Sequence, residues 1–214
     1  MEEHEKTESV SFQGQNAGEH FTMEVEEGHQ FRCFETKEEL VDAVDRYHGH
    51  NHVDMEMAEK YGWPIGNWCT RLVTDMSDLF YDHTAFNEDI GMWSVSKVTD
   101  FTAMFQNAIE FNQELSYWDT SKATSMSRMF AMAKSFNSDI SAWDVSKVTT
   151  ASYMFLHALK FNADISDWHV SSITDMERML RDARTFSYKE KVEMKWNIHK
   201  DAVTHRMLDN CGEF

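Results

Sequence analysis

Five tryptophans, Trp68, Trp93, Trp118, Trp143 and Trp168, follow one another at a constant interval of 25 residues. A period of that length marks an array. Each repeat is one supersecondary unit, too small to bury its own apolar face and completed only by the neighbours it stacks on. The interval therefore predicts a solenoid, and it constrains the fold far more than it constrains any partner.

Each repeat joins two patterns of different period. The spacing Ile140-x-x-Trp143-x-Val145 recurs as Ile65/Trp68/Thr70, Ile90/Trp93/Val95, Leu115/Trp118/Thr120 and Ile165/Trp168/Val170. It predicts a short strand of leucine-rich-repeat kind, with copies stacking about 4.8 Å apart as a parallel sheet. Downstream, Phe101, Met104, Phe105 and Ala108 are spaced i, i+3, i+4, i+7, which predicts one face of a helix. The same places hold Met126/Met129/Phe130/Ala133, Ala151/Met154/Phe155/Ala158 and Met176/Met179/Leu180/Ala183. Thr74, Thr99, Thr124, Thr149 and Thr174 each stand two residues ahead of a stripe and suit N-caps. Phe86, Phe111, Phe136, Phe161 and Phe186 close the units. Asn87, Asn112, Asn137 and Asn162 follow them, and such a ladder can satisfy backbone groups of stacked turns that burial would leave unpaired. The expected fold class is α/β: a leucine-rich-repeat-like solenoid with a parallel β-sheet on one face and short helices on the other.

Four segments are expected along the chain. Residues 1–30 read as an acidic disordered or loosely attached tail, because they hold too little apolar surface to offset chain entropy. Residues 31–64 read as an N-terminal helical cap, opened by the capping box Thr36-Lys-Glu-Glu39 and striped with Leu40, Val41, Val44 and Tyr47. Residues 65–187 hold about five repeats. Residues 188–214 read as a degenerate capping turn, since Trp196 comes 28 residues after Trp168 and Asp201 is placed to cap a last helix carrying Val203 and Met207.

The chain carries 37 acidic against 20 basic residues, a formal net charge of −17. Phosphate backbones and anionic lipid repel such a surface, so neither nucleic acid binding nor membrane insertion is expected. No apolar run reaches the roughly 18–20 residues of a membrane span. No basic and apolar leader follows Met1, so no signal peptide is expected and an intracellular setting is favoured. Cys33, Cys69 and Cys211 are odd in number and widely spaced. They indicate neither a zinc knuckle nor a disulfide framework, and fit a reducing compartment.

The run from Phe136 to Phe155, FNSDISAWDVSKVTTASYMF, resembles the short repeat of the BspA-like leucine-rich-repeat surface proteins, known also from mycoplasma lipoproteins. The segments Phe34–Leu40 and Tyr61–Trp68 resemble the N-terminal cap of eukaryotic members. The resemblance covers residues 31–187. It implies an α/β solenoid and, by analogy, adhesion or protein binding. Members are often secreted or surface-attached, and no catalytic residues are known for the repeat.

Between the apolar positions of the expected strand, outward residues fall into columns. One is uniform: Gly91, Ser116, Ser141, Ser166. Two vary, as a reading surface does: Met92, Tyr117, Ala142, Asp167, and Ser94, Asp119, Asp144, His169. Met92 and Tyr117 are candidate anchors for a protein partner, with Ser94, Asp119, Asp144, Asp167 and His169 around them. Asp89, Glu114, Asp139 and Asp164 form a further column of like charge. Turn amides and the Lys97, Lys122, Lys147 column can compensate it, and a row of bound calcium ions is the weaker alternative. His48, His50 and His52 form a weak candidate metal cluster lacking an evident fourth ligand. No nucleophile elbow, phosphate loop, dinucleotide fingerprint or His-Glu-x-x-His pair is present, so neither catalysis nor a cofactor is expected. The expected role is a protein-binding module. The alternatives are a structural or assembly scaffold without a specific ligand, and a calcium-dependent adhesion module.

Overall fold

The structure is a computed structural model that describes residues 7–13, 20–26, 28–49 and 54–212. Within the stretch expected as a tail, β1 (Thr7–Gln13) pairs antiparallel with β2 (His20–Glu26), placing Thr7 opposite Glu26 and Gln13 opposite His20. Helix α1 (Lys37–Gly49) starts where the capping box puts it. The Thr36 hydroxyl accepts the Glu39 N–H at 3.2 Å, and the Glu39 carboxylate reaches back to the Glu35 N–H at 3.0 Å. Leu40, Ala43, Val44 and Tyr47 bury its inner stripe. A second helix, α2 (Met55–Tyr61), begins at Asp54, whose carboxylate accepts the Met57 N–H at 3.1 Å. Sequence periodicity gave no sign of α2, because two turns are too short to establish a stripe.

The expected leucine-rich-repeat-like solenoid, with its parallel sheet and its helices, is not what the repeats form. Among the described residues the β1–β2 pair is the only sheet, and the α-helices are α1, α2 and α3 (Lys189–Lys195), all outside 65–187. The Ile-x-x-Trp-x-Val segments are tight turns: Trp143 N–H returns to the Ile140 carbonyl at 3.1 Å, and Val148 N–H to Val145 at 2.9 Å. Parallel pairing between repeats is confined to isolated bridges linking Asp75, Asp100, Ser125, Thr150, Asp175 and Val203 in succession.

The stripes expected as helices are rows of turns. Met104, Gln106 and Ala108 donate to the carbonyls three residues back (Phe101, Ala103, Phe105), while Phe101, Ala103, Phe105 and Asn107 donate across to Ser125, Ser127, Met129 and Ala131 of the next repeat. Ala103 and Asn107 sit at φ 54° and 60°, and the same two places have positive φ in every coil from Asp78/Asp82 to Arg206/Asn210. Positive φ at the third residue is the mark of a type II turn. The physical reason for the miss is that an i, i+3, i+4, i+7 pattern fits a strict four-residue turn unit as well as it fits a 3.6-residue helix. The threonines are not N-caps. The Thr99, Thr124, Thr149 and Thr174 hydroxyls each donate to the carbonyl of the threonine one repeat earlier, at 3.0–3.3 Å.

Successive coils are tied by side-chain ladders. The indole N–H of Trp93, Trp118, Trp143 and Trp168 donates to the carbonyl opening the preceding repeat (Ile65, Ile90, Leu115, Ile140) at 2.8–3.3 Å. Phe80, Phe105, Phe130 and Phe155 stack with centroids 5.4–5.8 Å apart, and Phe86 through Phe186 form a second such column at 5.6–6.2 Å. The asparagine ladder is present: Asn112, Asn137, Asn162 and Ser187 each donate their N–H to the Oδ1 of the asparagine one repeat earlier, at 2.7–2.8 Å. Trp196 keeps the pattern, donating to Ile165 at 3.1 Å, because α3 absorbs the extra residues before it. The helix expected after Asp201 is instead another row of turns, with Val203 49% exposed.

Cys33 and Cys69 form a disulfide, where the spacing of the cysteines indicated no disulfide framework, and Cys211 is buried. Their 36-residue separation hides the pairing in sequence; the parallel bridge between the two residues creates it.

Candidate protein-binding face

The turn opening each repeat fixes which side chains project. Ile90 and Trp93 are buried at its ends, and the Trp93 N–H closes it on Ile90 at 3.0 Å. Of the two central residues the second projects to solvent, while the first, expected to face outward, is buried at Gly91 and Ser166, half-buried at Ser116 and exposed only at Ser141. Met92 is 81% exposed and Tyr117, one repeat on, is 80% exposed. These candidate anchors do share one face, but on turns and not on strands, so the face is no sheet. Between them lies a groove of about 480 Å³ lined by Met92, Trp93, Ser94, Val95, Tyr117 and Asp119. Gly91 sits at its edge, where a Cβ would stand 2.6 Å from the Glu114 carbonyl oxygen.

Further along, Asp119 and Asp144 accept the N–H groups of Ser121 and Ser146 at 3.1 and 2.9 Å. The Ser121 hydroxyl and amide hold Asp119 below the ordinary carboxylate range, against the repulsion of Asp144. Ser146 does the same for Asp144, with help from Lys147 and His169. Both are ionised at neutral pH. Asp167 differs, because Lys195 of α3 pairs with it at 2.6 Å. Ser166, Asp167, His169, Lys195 and Asn197 surround a second groove of about 440 Å³. The face thus changes from apolar at Met92 and Tyr117 to acidic at Asp119 and Asp144 to charge-paired at Asp167. Lys195 and Asn197 were missed by sequence reasoning. The available signal was Lys191 and Lys195, one helical turn apart, meeting Asp164 and Asp167 across the fold.

The second acidic column turns inward on its own backbone. Asp89, Glu114, Asp139 and Asp164 accept the N–H two residues on, from Gly91, Ser116, Ser141 and Ser166, at 2.9–3.1 Å. Ser116 lowers the Glu114 pKa chiefly through its amide, and Ser141 lowers that of Asp139 chiefly through its hydroxyl. At Asp164 burial opposes ionisation, but Lys191 and Ser166 prevail and hold the carboxyl at about 2. No group of three or more His, Cys, Asp or Glu among the described residues is arranged to hold a metal ion. His48 belongs to the last turn of α1, while His50 and His52 lie outside the described residues. No helix among the described residues is long and apolar enough to cross a membrane.

One family model, described as Mycoplasma protein of unknown function, DUF285, matches the sequence twice, over residues 50–156 and 115–214. No curated protein and no solved structure matches it.

Proposed function

We propose that this chain, which belongs to the DUF285 family of Mycoplasma proteins of unknown function, is a non-catalytic binding module for a protein partner. The observation that carries the reading is the pair Met92 and Tyr117. Two large apolar side chains, each about four-fifths exposed, stand one repeat apart over a groove on an otherwise acidic protein. Exposed apolar patches with a polar rim mark interaction sites, and aromatic anchors dominate their energetics. Asp119 and Asp144 add a negative rim suited to a partner bearing Lys or Arg. Likeness of the repeat to BspA-like surface proteins supports the same role by analogy. The calcium-dependent alternative gains no support from Asp89, Glu114, Asp139 and Asp164, each of which commits one carboxylate oxygen to a turn amide.

The test begins with affinity purification of the intact chain and mass spectrometry of what it retains. Tyr117→Ala is expected to weaken binding of the identified partner by about 1–3 kcal/mol, the usual cost of truncating an aromatic anchor. Asp144→Lys is expected to weaken it and to reverse the salt dependence of association. Full affinity in both variants would reject the face.

A further inference from the structure

Charge is spread unevenly over the rows of turns. Inside each coil the row's rings meet the indole, as Phe105 meets Trp118 at 6.2 Å, so the row's outward side chains point away from Met92 and Tyr117. In the first two coils, 74–86 and 99–111, the row carries Asp75, Asp78, Asp82, Asp100 and Glu110 and neither Lys nor Arg. In the next two, 124–136 and 149–161, it carries Arg128, Lys134 and Lys160 and no carboxylate. In the fifth, 174–186, Arg178, Arg181 and Arg184 equal Asp175, Glu177 and Asp182 in number. The sign of charge thus reverses along one side of the stack. Two of the cations are held on one ring. The Arg128 guanidinium lies 5.1 Å from the centre of the half-buried Tyr153 ring, and that of Arg178 lies 5.5 Å from it. Cation–π attraction fixes both heads. The backbone does not call for these residues: Arg128, Tyr153 and Arg178 sit at φ 57°, 60° and 52°, where Asp or Asn is favoured. Arg128, Lys134, Lys160 and Arg184 are exposed, and among the described residues none has a carboxylate at ion-pair distance. Glu177, 3.5 Å from Arg178, and Asp182, 3.3 Å from Arg181, offset part of the charge of the fifth coil only.

We infer that the Arg128–Tyr153–Arg178 column and its lysine flank form a docking surface for an acidic segment of a partner protein, one with several Asp or Glu residues in succession. The surface lies mid-stack, with a coil on either side of it, so no further coil of the array covers it. Arg128 and Arg178 stand two coils apart, roughly 10 Å at about 4.8 Å per coil. One carboxylate cannot reach both. A run of carboxylates can, because an extended chain rises about 3.3 Å per residue. The guanidinium N–H groups of Arg128 and Arg178 donate to the run, the Tyr153 ring receives its apolar atoms, and Lys134, Lys160 and Arg184 supply a positive flank. Asp75, Asp78, Asp82 and Asp100 repel the same segment from the first two coils, which fixes where along the stack it sits. The inference does not rest on the Met92/Tyr117 face, whose acidic rim suits a partner of opposite charge.

Fluorescence anisotropy of a labelled decaglutamate peptide, titrated with the intact protein, tests this. The peptide is expected to bind at about 20 mM NaCl and to weaken steeply toward about 150 mM. Arg128→Gln/Lys134→Gln/Lys160→Gln is expected to weaken binding by roughly tenfold or more. Lys97→Gln/Lys122→Gln/Lys147→Gln removes as many exposed cations elsewhere on the coils, and is expected to change binding by less than about twofold. Tyr117→Ala should leave binding intact, which separates this surface from the Met92/Tyr117 face. Melting by circular dichroism checks each fold, and Lys134→Gln/Lys160→Gln carries the test if the triple variant melts early. The inference is overturned if the peptide does not bind at low salt, or if the two triple variants lose affinity equally. It is also overturned if a neutral peptide bearing one phosphoserine binds more tightly than decaglutamate. Sedimentation supplies the last arm: a dimer of the free protein that Arg128→Glu dissociates would place a second copy on this surface and overturn the assignment to a partner protein.

Discussion

Each buried indole carries two duties, filling the interior with its ring and tying a coil to the one before it with its N–H. The two separate by substitution. Trp143 is 4% exposed and donates to Leu115 at 3.0 Å. Trp143→Phe keeps most of the ring but strands a buried carbonyl, and is expected to cost about 1–3 kcal/mol in urea unfolding. Trp143→Ala empties the site and should cost about 3–5 kcal/mol. Equal losses would show that the ring's packing adds nothing beyond the hydrogen bond. Thr120 is the contrasting case. Its buried hydroxyl donates to the Asp144 carbonyl at 3.0 Å, yet Val95, Val145 and Val170 occupy the same place in other repeats without one. Thr120→Val is therefore expected to change stability by less than about 1 kcal/mol.

Turns, not helices, are the working elements, and carboxylates stabilise them. Glu114, Asp119, Asp139, Asp144 and Asp164 all have pKa values below their ordinary ones, with Asp164 at about 2. A carboxyl whose pKa is lower folded than unfolded stabilises the fold above the unfolded value, near 4, and loses that contribution as pH falls through the folded value. The melting temperature is thus expected to fall as pH drops from about 4 toward about 2, and Asp164→Asn to flatten the lower part of that fall. A curve in Asp164→Asn parallel to the unmodified protein's would count against the assignment. A covalent cross-link is added by the Cys33–Cys69 disulfide, which joins the segment before α1 to the first repeat across 36 residues. Closing a loop of that length restricts the unfolded chain, so Cys33→Ser is expected to cost about 2–4 kcal/mol, measured under non-reducing conditions.

As a whole, the molecule sets a long, laddered interior against a net charge of −17. Self-repulsion of that size opposes the compact state. Raising NaCl from about 10 mM to about 150 mM shortens the screening length from about 30 Å to about 8 Å. The expected result is a higher melting temperature, and a fall would mean that attractive pairs such as Lys191–Asp164 and Lys195–Asp167 outweigh the repulsion. If the proposed binding role holds, the same charge is expected to favour basic partners over further copies of this chain.

Sequence alone determined the period, most of the residues that face inward (Val203, expected inside, is exposed, and Gly91 and Ser166, expected outside, are buried), the asparagine ladder and the columns that hold Met92, Tyr117, Asp119 and Asp144. All of these follow from identical positions meeting once per repeat. It did not determine the backbone between those positions. Phe101, Met104, Phe105 and Ala108 are buried whether the Phe105 N–H turns back to residue 101, as in a helix, or crosses to Met129, as it does here. Side-chain periodicity records burial and is silent on the partner of each N–H. Only the packing of one coil against the next decided that half of these groups bond across repeats, that the strands and helices give way to turns, and that Cys33 and Cys69, far apart in the chain, meet.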